Sequence, residues 1–471
     1  MENREKLYVK LATDIEKQIK AGLLKTGEKV ISVRKQSAVS GLSINTVLQA
    51  YLLLEKRGLI EARAQSGFYI AAPATTEAVR PENLTQTKAA PVQIPDIVSD
   101  LFEAANNDKI VPLGAACFSP ELYPNEAVAR IMRSILRTEK DVNSKYQFPP
   151  GHPRFTQQVA KRLSRTGNRI RTEEVYATNG ALESVHLALR AVLKPGDTLL
   201  IESPNYFGIL QAVASLGVKV IEISADSKTG VDPDEFHSLL KKHKISAALL
   251  MPNFNNPLGS LMPDESKRSI VKMISHYGIP VIEDDVYADL AFSGIRPKLL
   301  RAFDDEGLVI SCSSFSKTIS PAARVGWALP GKFEKQFRNI QLSSTVGTNR
   351  PQQLVMAEFL SSGAYERHLK HILPLMQTQV YKMTEAVLRY FPEGTRLTQP
   401  GAGFMLWVEL PRGHNSIDLY HAAAAKKISI APGVIFSAHG KYKNYIRINC
   451  GRIWTPEIEN AVKTLGLLLK R

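Results

Sequence analysis

The stretch that decides the fold of this chain is SSFSKTISPAARVGW, residues 313–327. It places Lys317 among serine hydroxyls, and Arg324 follows seven residues later. An amine condenses with a carbonyl group, whereas hydroxyls and a guanidinium group bind phosphate. The pattern therefore predicts a site for an anionic ligand that carries a carbonyl group, with Lys317 as the amine. The predicted phosphate ligands are Ser314, Ser316 and Arg324. Since Ser-x-Ser-Lys alone is common on protein surfaces, the surrounding motifs decide whether this stretch is a ligand site.

Length and composition limit the classes of protein that remain possible. The chain has 471 residues, of which 44% are hydrophobic and 22% charged, which is the usage of a folded protein of about three domain-sized parts. Cys117, Cys312 and Cys450 lie far apart, which excludes a disulfide framework and argues against a zinc site. No apolar run approaches the ~18 residues that cross a bilayer, and MENREKLYVK lacks the apolar core of a signal peptide. We therefore expect a soluble, cytoplasmic protein.

From about residue 108, short apolar runs alternate with helical stretches. The runs are Glu174–Ala177, Thr198–Ile201, Val218–Ile223, Ala247–Met251, Val281–Glu283 and Leu308–Ser311. Such alternation predicts an α/β fold, with a mostly parallel sheet covered by helices and ligand groups at the carboxyl ends of the strands. From about Tyr365, a long helix and strands at Phe404–Glu409 and Tyr445–Asn449 predict a smaller α+β C-terminal subdomain. On that helix, His368 and His371 are expected to be solvated.

Motifs before residue 313 fit the same anionic ligand. In VIEDDVY, Asp284 and Tyr287 follow an apolar run, and a buried carboxylate keeps a pyridine nitrogen protonated. In MPNFNNPLG, Asn256 follows another strand, so its amide can donate to a phenolic oxygen. ATNGALESVHLAL opens a helix at about Gly180, where free amides and the helix dipole favour phosphate. In ESPNYFG, Tyr206 also follows a strand and is placed to stack on a ring.

Residues 108–471 therefore resemble the fold-type-I, pyridoxal-phosphate-dependent aminotransferases of class I. The resemblance implies pyridoxal 5'-phosphate as the cofactor, held by Lys317 as an internal aldimine. The residues that it assigns to the cofactor are Gly180, Ala181, Leu182, Tyr206, Asn256, Asp284, Tyr287, Ser314, Ser316, Lys317, Arg324 and Tyr146. Leu182 departs from the hydroxyl or amide often found there. Tyr146, in KYQFPPG, is similar to a tyrosine that reaches the phosphate of the neighbouring subunit. Arg447, in YIRIN, is similar to the arginine that clamps a substrate or effector carboxylate.

Some of these residues have alternative interpretations. Taken alone, Tyr206 and Tyr146 are more often core aromatics than ligands. Glu283 and Asp285 suggest a metal site together with Asp284, but no histidine lies at ligand spacing, so we predict no metal.

The first 75 residues differ from the rest in charge and pattern. They contain 12 Lys+Arg and 7 Asp+Glu, so they contribute +5 to a net charge of +15. Without a motif, a solvated basic face remains the plainer interpretation. The pattern predicts a helix over 5–20, a second near Val33–Val39, a third capped by Ser43, and a hairpin of Leu59–Arg63 and Phe68–Ile70. This order is that of a winged helix-turn-helix.

The same segment resembles the GntR-type winged helix. The matching features are Gly22, Leu24 and Gly27, Ser32 with Arg34, Ser43 with Thr46 and Val47, Ala50-Tyr51, Leu54-Glu55, Gly58-Leu59 and Ser66-Gly67. The resemblance implies DNA contacts from the third helix, from Arg34 to phosphate, and from the wing. The candidate residues are Arg34, Ser43, Asn45, Thr46, Gln49, Arg63, Gln65 and Gly67. Ser43 as a plain helix cap, and Arg34 and Arg63 as plain surface charges, remain alternatives. Val30-Ile31-Ser32 replaces the usual Leu-Pro-Ser, which predicts a looser approach to the second helix.

Together these parts predict a winged helix-turn-helix at 1–75, a linker at 76–107 and an aminotransferase-like domain at 108–471. This architecture resembles the MocR-type bacterial transcriptional regulators. It implies a homodimer that binds double-stranded DNA and pyridoxal phosphate, and that senses the cofactor or a small amino compound. One alternative is a working aminotransferase with an appended DNA-binding domain. Another is a DNA-binding protein with a cofactor-free interaction domain.

Overall fold

The computed structural model describes residues 7–20, 24, 28–63, 67–70, 88–92 and 97–470. Its amino-terminal helices are α1 (Leu7–Lys20), α2 (Val33–Ser40) and α3 (Ile44–Lys56), followed by strands β1 (Ile60–Arg63) and β2 (Gly67–Ile70). β1 and β2 pair antiparallel, with Ile60 opposite Ile70. The order of elements is the one that the sequence predicts.

The turn between α2 and α3 sets the geometry of a helix-turn-helix. Gly41 ends α2 with φ +69°, the left-handed conformation that glycine adopts at little cost. The axes of α2 and α3 meet at 115°, within the range of this motif. Among the described residues, no single helix is long and apolar enough to cross a membrane, and α2 and α3 pass that test only as a bent pair.

The segment before α2 is held at two points. The Tyr51 hydroxyl donates to the Ile31 carbonyl at 2.8 Å, and the Val30 amide donates to the Phe68 carbonyl at 2.8 Å. Ser32 then caps α2 by accepting from the Lys35 amide. The expectation of a loose approach to α2 is therefore wrong, because these bonds replace the constraint that a proline would supply.

The rest of the chain alternates helices and strands. In chain order these are α4 (Ile97–Ala105), β3 (Val111–Pro112), α5 (Asn125–Thr138), α6 (Pro153–Ser164), β4 (Tyr176–Thr178), α7 (Ala181–Val192), β5 (Thr198–Ser203), α8 (Phe207–Ala214), β6 (Lys219–Asp226), β7 (Gly230–Val231), α9 (Pro233–Lys242), β8 (Ala247–Leu250), α10 (Asp264–Tyr277), β9 (Val281–Asp284), β10 (Val309–Ser314), β11 (Gly326–Leu329), α11 (Glu334–Ser344), α12 (Arg350–Ser361), α13 (Ala364–Tyr390), β12 (Arg396–Leu397), β13 (Met405–Glu409), α14 (Ser416–Ala424), β14 (Ile428–Ser429), β15 (Ala431–Pro432), β16 (Tyr445–Asn449) and α15 (Pro456–Leu468).

A large, mostly parallel sheet confirms the predicted α/β class. Its strand order is β4-β11-β10-β9-β8-β5-β6-β7. The central pairs, from β10 through β9, β8 and β5 to β6, are parallel, whereas β11 runs antiparallel to both of its neighbours. Parallel strands end at the same edge of a sheet, so the residues that follow β5, β8, β9 and β10 are brought together.

The carboxyl-terminal part forms the predicted smaller subdomain. Its sheet has the order β12-β13-β16-β15, with β13 and β16 antiparallel. The long α13 precedes it, and β14 pairs in parallel with β3 from the start of the large domain. The segment around β3 is thereby fixed next to the small subdomain.

The structure departs from the predicted linker, 76–107, in its second half. There α4 forms a helix that buries Val98 and Leu101, and Asp100 accepts a hydrogen bond from the Tyr420 hydroxyl at 3.2 Å. Upstream, the Ala90 backbone bridges to that of Val220. The apolar positions of α4 follow a helical period that the proline-rich composition before it obscures. This helix belongs to the large domain, and the remaining domain boundaries stay a prediction.

Candidate functional site

A cavity of about 280 Å³ lies at the carboxyl ends of the parallel strands. The predicted cofactor residues that line it are Ala181, Leu182, Tyr206, Asn256, Asp284, Tyr287, Ser314, Ser316, Lys317 and Arg324. The lining residues that the sequence did not reveal are Phe102, Ala116, Val185, Ile209, Met251 and Val286. The fold thus collects the separate motifs in one place.

Lys317 has the environment of a nucleophilic amine. Its Nζ donates to the Ala116 carbonyl at 2.8 Å. Burial lowers the pKa of Lys317, and the positive charges of Arg447 and Arg324 lower it further. A lowered pKa increases the fraction of neutral amine, which is the form that attacks a carbonyl carbon.

Asp284 is a buried carboxyl at the end of β9. Burial, reinforced by the negative charge of Asp285, raises the pKa of Asp284 to about 7. One of its oxygens accepts from the Val286 amide at 3.3 Å. A protonated ring nitrogen beside Asp284 would favour its ionised form, because an opposite charge offsets the cost of burial.

The two neighbouring acids are committed to other partners. Glu283 accepts from the Leu300 amide at 2.6 Å and from the Ser311 hydroxyl at 2.7 Å. Asp285 accepts from Asn253 at 2.7 Å and pairs with Arg296. Glu283 and Asp285 therefore stabilise the fold around β9, and they are not among the residues that line the cavity with Asp284.

The predicted phosphate ligands meet at the start of α7. Gly180 precedes this helix with φ +97°, and a side chain there would lie 2.6 Å from the Arg324 guanidinium group. Arg324 donates to the Asn179 carbonyl at 2.9 Å and lies 3.5 Å from the Ser316 hydroxyl. It adopts φ +49°, a left-handed conformation that is uncommon outside glycine and often found at functional sites. Ala181 and Leu182 form the first turn of α7.

One amide at this helix start is already occupied. The Glu183 carboxylate accepts from both the backbone and the side-chain amide of Asn179. The amide groups left for an anion therefore begin at Gly180. The exposed Leu182 side chain adds no hydrogen-bond donor.

Arg447 is a fully buried cation whose hydrogen-bond acceptors are neutral. It donates to Asn256 Oδ1 at 3.0 Å and to the Gly114 carbonyl at 2.6 Å, and its Nε has no hydrogen-bond partner among the described residues. Burial lowers its pKa, and its guanidinium group lies 4.9 Å from the Phe436 ring centroid. Asn256 in turn donates to the Tyr287 hydroxyl at 3.2 Å. A buried, incompletely satisfied guanidinium group favours an anionic ligand.

Of the three predicted tyrosine ligands, Tyr287 and Tyr206 line the cavity, and Tyr146 lies elsewhere. Tyr206 precedes α8 and lines the cavity, where burial raises its pKa. Tyr146 is 75% exposed and stacks on Phe148, with 5.6 Å between ring centroids. Tyr146 does not line the cavity of its own chain.

The two histidines predicted to be solvated on α13, His368 and His371, differ in their surroundings. His371 is exposed, as expected. The same expectation for His368 is wrong: its Nε2 lies 2.8 Å from the Thr318 carbonyl, and burial lowers its pKa. The Tyr365 hydroxyl contacts Thr318 Oγ1 at 3.1 Å. Two side chains of α13 thus hold the residue next to Lys317.

The winged-helix candidates lie mainly on the surface. Ser43 caps α3 by accepting from the Thr46 amide at 3.1 Å, as predicted, and its hydroxyl lies 2.8 Å from that of Thr46; its contact with DNA stays a prediction. Asn45 and Gln49 are exposed on α3, as is Arg34 on α2. Gly67 opens β2 with φ +101°. Arg63 ends β1, but its side chain and the whole of Gln65 lie outside the described residues.

Comparisons with known proteins give the family. The family aminotransferase class I and II matches residues 118–465. The chain is 34% identical over 465 residues to YdcR of Escherichia coli K12, an uncharacterized HTH-type transcriptional regulator, with 99% of each chain covered. It is 35% identical over 461 residues to a second one, YjiR of the same strain, with 98% of each covered. Among solved structures, α-aminoadipate aminotransferase LysN of Thermus thermophilus, complexed with N-(5'-phosphopyridoxyl)-L-leucine, has a TM-score of 0.73 at 28% identity and covers 80% of this chain and 95% of its own.

These matches account for both parts of the molecule. The aminotransferase match spans the cavity, and the two regulators match from the winged helix to the last helix. The chain therefore belongs to the MocR-type transcriptional regulators, in which an HTH-type region is joined to a class I aminotransferase domain.

Proposed function

We propose that the large domain of this regulator binds pyridoxal 5'-phosphate at Lys317 and senses it, or a small amino compound through it. The observation that carries the proposal is that Lys317 lines one cavity with Asp284 and Asn256. A partly buried amine of lowered pKa and a buried carboxyl of raised pKa, at the ends of neighbouring strands, suit an aldehyde and a pyridine nitrogen on one ring.

The residues of the cavity fit this cofactor group by group. When bound, pyridoxal phosphate supplies an aldehyde carbon open to amines and a ring that withdraws electrons. Lys317 would hold the aldehyde end, Asp284 would keep the ring nitrogen protonated, and Asn256 with Tyr287 would hydrogen-bond the ring oxygen. The groups left for phosphate are Ser314, Ser316, Arg324 and the amides at the start of α7.

Arg447 supports an effector that carries a carboxylate. Its present acceptors are a side-chain amide and a backbone carbonyl, both neutral, and its Nε is unsatisfied among the described residues. A carboxylate would supply the missing negative charge and accept two parallel hydrogen bonds. An amino acid combines this group with an amine that could replace Lys317 at the aldehyde.

The position of Tyr146 supports a homodimer. Tyr146 and Phe148 are both exposed and stacked on each other, away from the cavity of their own chain. A neighbouring subunit would bury this pair and receive the Tyr146 hydroxyl at its phosphate site, as the resemblance implies. A two-fold dimer would present two winged helices to paired half-sites on double-stranded DNA. We place it in the cytoplasm, where bacterial DNA lies.

The helix α13 provides a physical connection between the two sites. Near its start, Tyr365 and His368 hold Thr318, the neighbour of Lys317. About 20 Å further along the helix, the Tyr381 ring lies against Gly58 of the winged helix, where an added Cβ would be 2.1 Å from the ring. A change at Lys317 can thus shift an element that also holds the DNA-binding region.

Footprinting on the DNA upstream of its own gene, with pyridoxal phosphate present, tests the proposal. We expect visible absorbance from the bound cofactor, its loss on borohydride reduction, and a footprint that changes when amines with a carboxylate are added. A protein that stays colourless with pyridoxal phosphate would overturn the proposal.

An enzymatic role is the second candidate, because Lys317, Asp284 and Arg447 are all present. Steady turnover of an amino donor and an oxo acid at ~1 s⁻¹ or faster would favour that role.

A further inference from the structure

The helix α3 carries apolar side chains on its solvent face. Its inward positions, Val47, Ala50 and Leu54, are 0% exposed, whereas Ile44 is 54% and Leu48 is 37% exposed. Ile44 and Leu48 are four residues apart and therefore neighbours on the helix surface. The core of the winged helix does not account for them.

The large domain does not account for them either. Leu52, one further turn along α3, lines a cavity between the winged helix and α13, together with Thr378 and Tyr381. Ile44 and Leu48 are not among the residues that line this cavity. The amino-terminal half of α3 therefore points its apolar pair away from the described contacts with α13.

Two amide side chains accompany this apolar pair. Asn45 and Gln49 are both exposed and also lie one helical turn apart. Between Ile44 and Leu54, the sequence INTVLQAYLLL contains no arginine or lysine, the residues that most often recognise guanine in the major groove. The exposed cations Arg34 and Lys35 lie on α2, which in this motif crosses the phosphate backbone.

These side chains have a common preference among base pairs. In the major groove, asparagine and glutamine pair with the N6 and N7 groups of adenine, and apolar side chains contact the thymine methyl group. The first turns of the second helix in a helix-turn-helix are the ones that contact base edges. Both pairs on α3 thus favour the same partner, an A·T base pair.

We propose that α3 recognises A·T pairs in the major groove, with Ile44 and Leu48 contacting thymine methyl groups and Asn45 and Gln49 contacting adenine. The inference rests on the DNA-binding role of the winged helix and adds the composition of its half-site. It makes Ile44 and Leu48 specificity-determining residues, although neither is polar.

Selection from a random duplex library by the full chain with pyridoxal phosphate is the first test. We expect enriched half-sites whose central positions are A·T pairs. Enriched half-sites with G·C at those positions would overturn the inference and leave the DNA-binding role standing. The absence of any enriched sequence would overturn both.

Replacing thymine by deoxyuridine in the selected site is the sharper test, because it removes only the 5-methyl group. We expect affinity to fall about fourfold for each contacted methyl group, on the scale of one buried methylene. Ile44→Ala and Leu48→Ala should each lose part of this discrimination. Leu467→Ala, which alters a 54% exposed leucine on α15, is the matched control and should keep it. The inference would be overturned if the three variants and the unaltered chain all discriminated equally between thymine and uracil sites. It would also be overturned if the unaltered chain bound the two kinds of site equally well.

Discussion

The winged helix and the cofactor cavity place their functional groups in opposite ways. On α3, Asn45 and Gln49 are exposed to solvent, and the core beneath them is built of hydrophobic side chains. Around the cavity, Asp284 and Arg447 are buried, and Arg447, Asn256 and Tyr287 form one hydrogen-bonded chain. Exposed groups can be replaced one at a time with little effect on their neighbours, whereas substitutions within a buried network are coupled.

The two regions also have separate hydrophobic cores. The winged helix is built around buried residues of α1, α3 and the hairpin, such as Ile15, Tyr51 and Ile70. The core of the large domain is a distinct cluster. If the comparison holds, damage to the cavity should leave DNA binding by the winged helix largely intact, and the predictions below test this.

Lys317→Ala should have the largest effect. Lys317 is the one lysine among the described residues that line the cavity, so we expect complete loss of the visible absorbance of bound pyridoxal phosphate. DNA affinity without cofactor should stay within about twofold of the unaltered chain, because the two cores are separate. Absorbance spectra and DNA titrations measure the two effects. The exposed Lys335→Ala is the control, and a coloured, borohydride-sensitive Lys317→Ala protein would contradict the prediction.

The polar lining of the cavity was predictable from the sequence for a physical reason. Asp284, Asn256 and Ser314 follow or end apolar strands, and the rule that parallel strands end at one edge places them together. The same rule does not predict β11, which begins at Gly326, the last residue but one of the stretch 313–327. β11 is short and antiparallel, so it lacks the helix that normally signals the next strand.

Other parts of the site left no signal in the sequence. Ala116 acts through its backbone carbonyl, which every residue has. Phe102 lies on α4, next to a proline-rich segment whose composition resembles a linker. His368 reaches a carbonyl 50 residues away in sequence, a contact that only the packing of α13 creates. Local sequence patterns therefore predicted the polar side chains of the cavity. Backbone groups and residues brought in by packing could be found only in the structure.

Arg447→Met should have the next largest effect. Methionine is similar in length to arginine and is neutral. The two acceptors that would lose their donor, Asn256 Oδ1 and the Gly114 carbonyl, are neutral too, so the substitution leaves no unpaired buried charge. We expect the concentration of carboxylate-bearing amine needed to change the footprint to rise about a hundredfold, as for loss of a buried charge pair. Amines without a carboxylate are the matched control and should act as before. An unchanged requirement for carboxylate-bearing amines would contradict the role of Arg447.

Glu202 predicts a pH dependence of stability confined to the large domain. It accepts from the Met251 amide at 2.8 Å, and burial raises its pKa from 4.5 to about 7. Because the folded chain binds this proton more tightly than the unfolded chain, the free energy of unfolding should fall as pH rises from about 4.5 to 7. Above about pH 7 the Glu202 carboxyl should lower the free energy of unfolding little further. Among its described residues, the winged helix has no buried acidic side chain.

Glu202→Gln should remove this titration. Asn255 contacts the Glu202 carboxylate, and its Oδ1 has no hydrogen-bond partner in the part of the chain that the structure describes, so a rotation of its side chain can accommodate the new amide. Relative to the unaltered chain, the variant should gain up to about 3 kcal/mol between pH 4.5 and pH 8. Urea unfolding followed by tryptophan fluorescence measures the large domain, since Trp327, Trp407 and Trp454 all lie in it. Parallel pH profiles for the two proteins would contradict the assignment.

Tyr381→Ala should have the smallest effect on either region alone and a specific effect on their coupling. The Tyr381 ring covers Gly58, which has φ +69° and where any side chain would clash with the ring. Removing the ring should loosen the hold of α13 on the winged helix and change DNA affinity without cofactor by less than about fivefold. The ratio of DNA affinities with and without pyridoxal phosphate should then approach one, since a coupling free energy requires a contact that differs between the two states.

Tyr381→Phe is the matched control for this last prediction. It keeps the ring against Gly58 and removes only the hydroxyl, which donates to Glu385 at 2.8 Å. We expect Tyr381→Phe to retain the ratio of affinities that the unaltered chain shows. A ratio equally preserved in Tyr381→Ala would mean that the cofactor site and the winged helix communicate by a route other than α13, and the two regions would then differ in their connection as well as in how they place their functional groups.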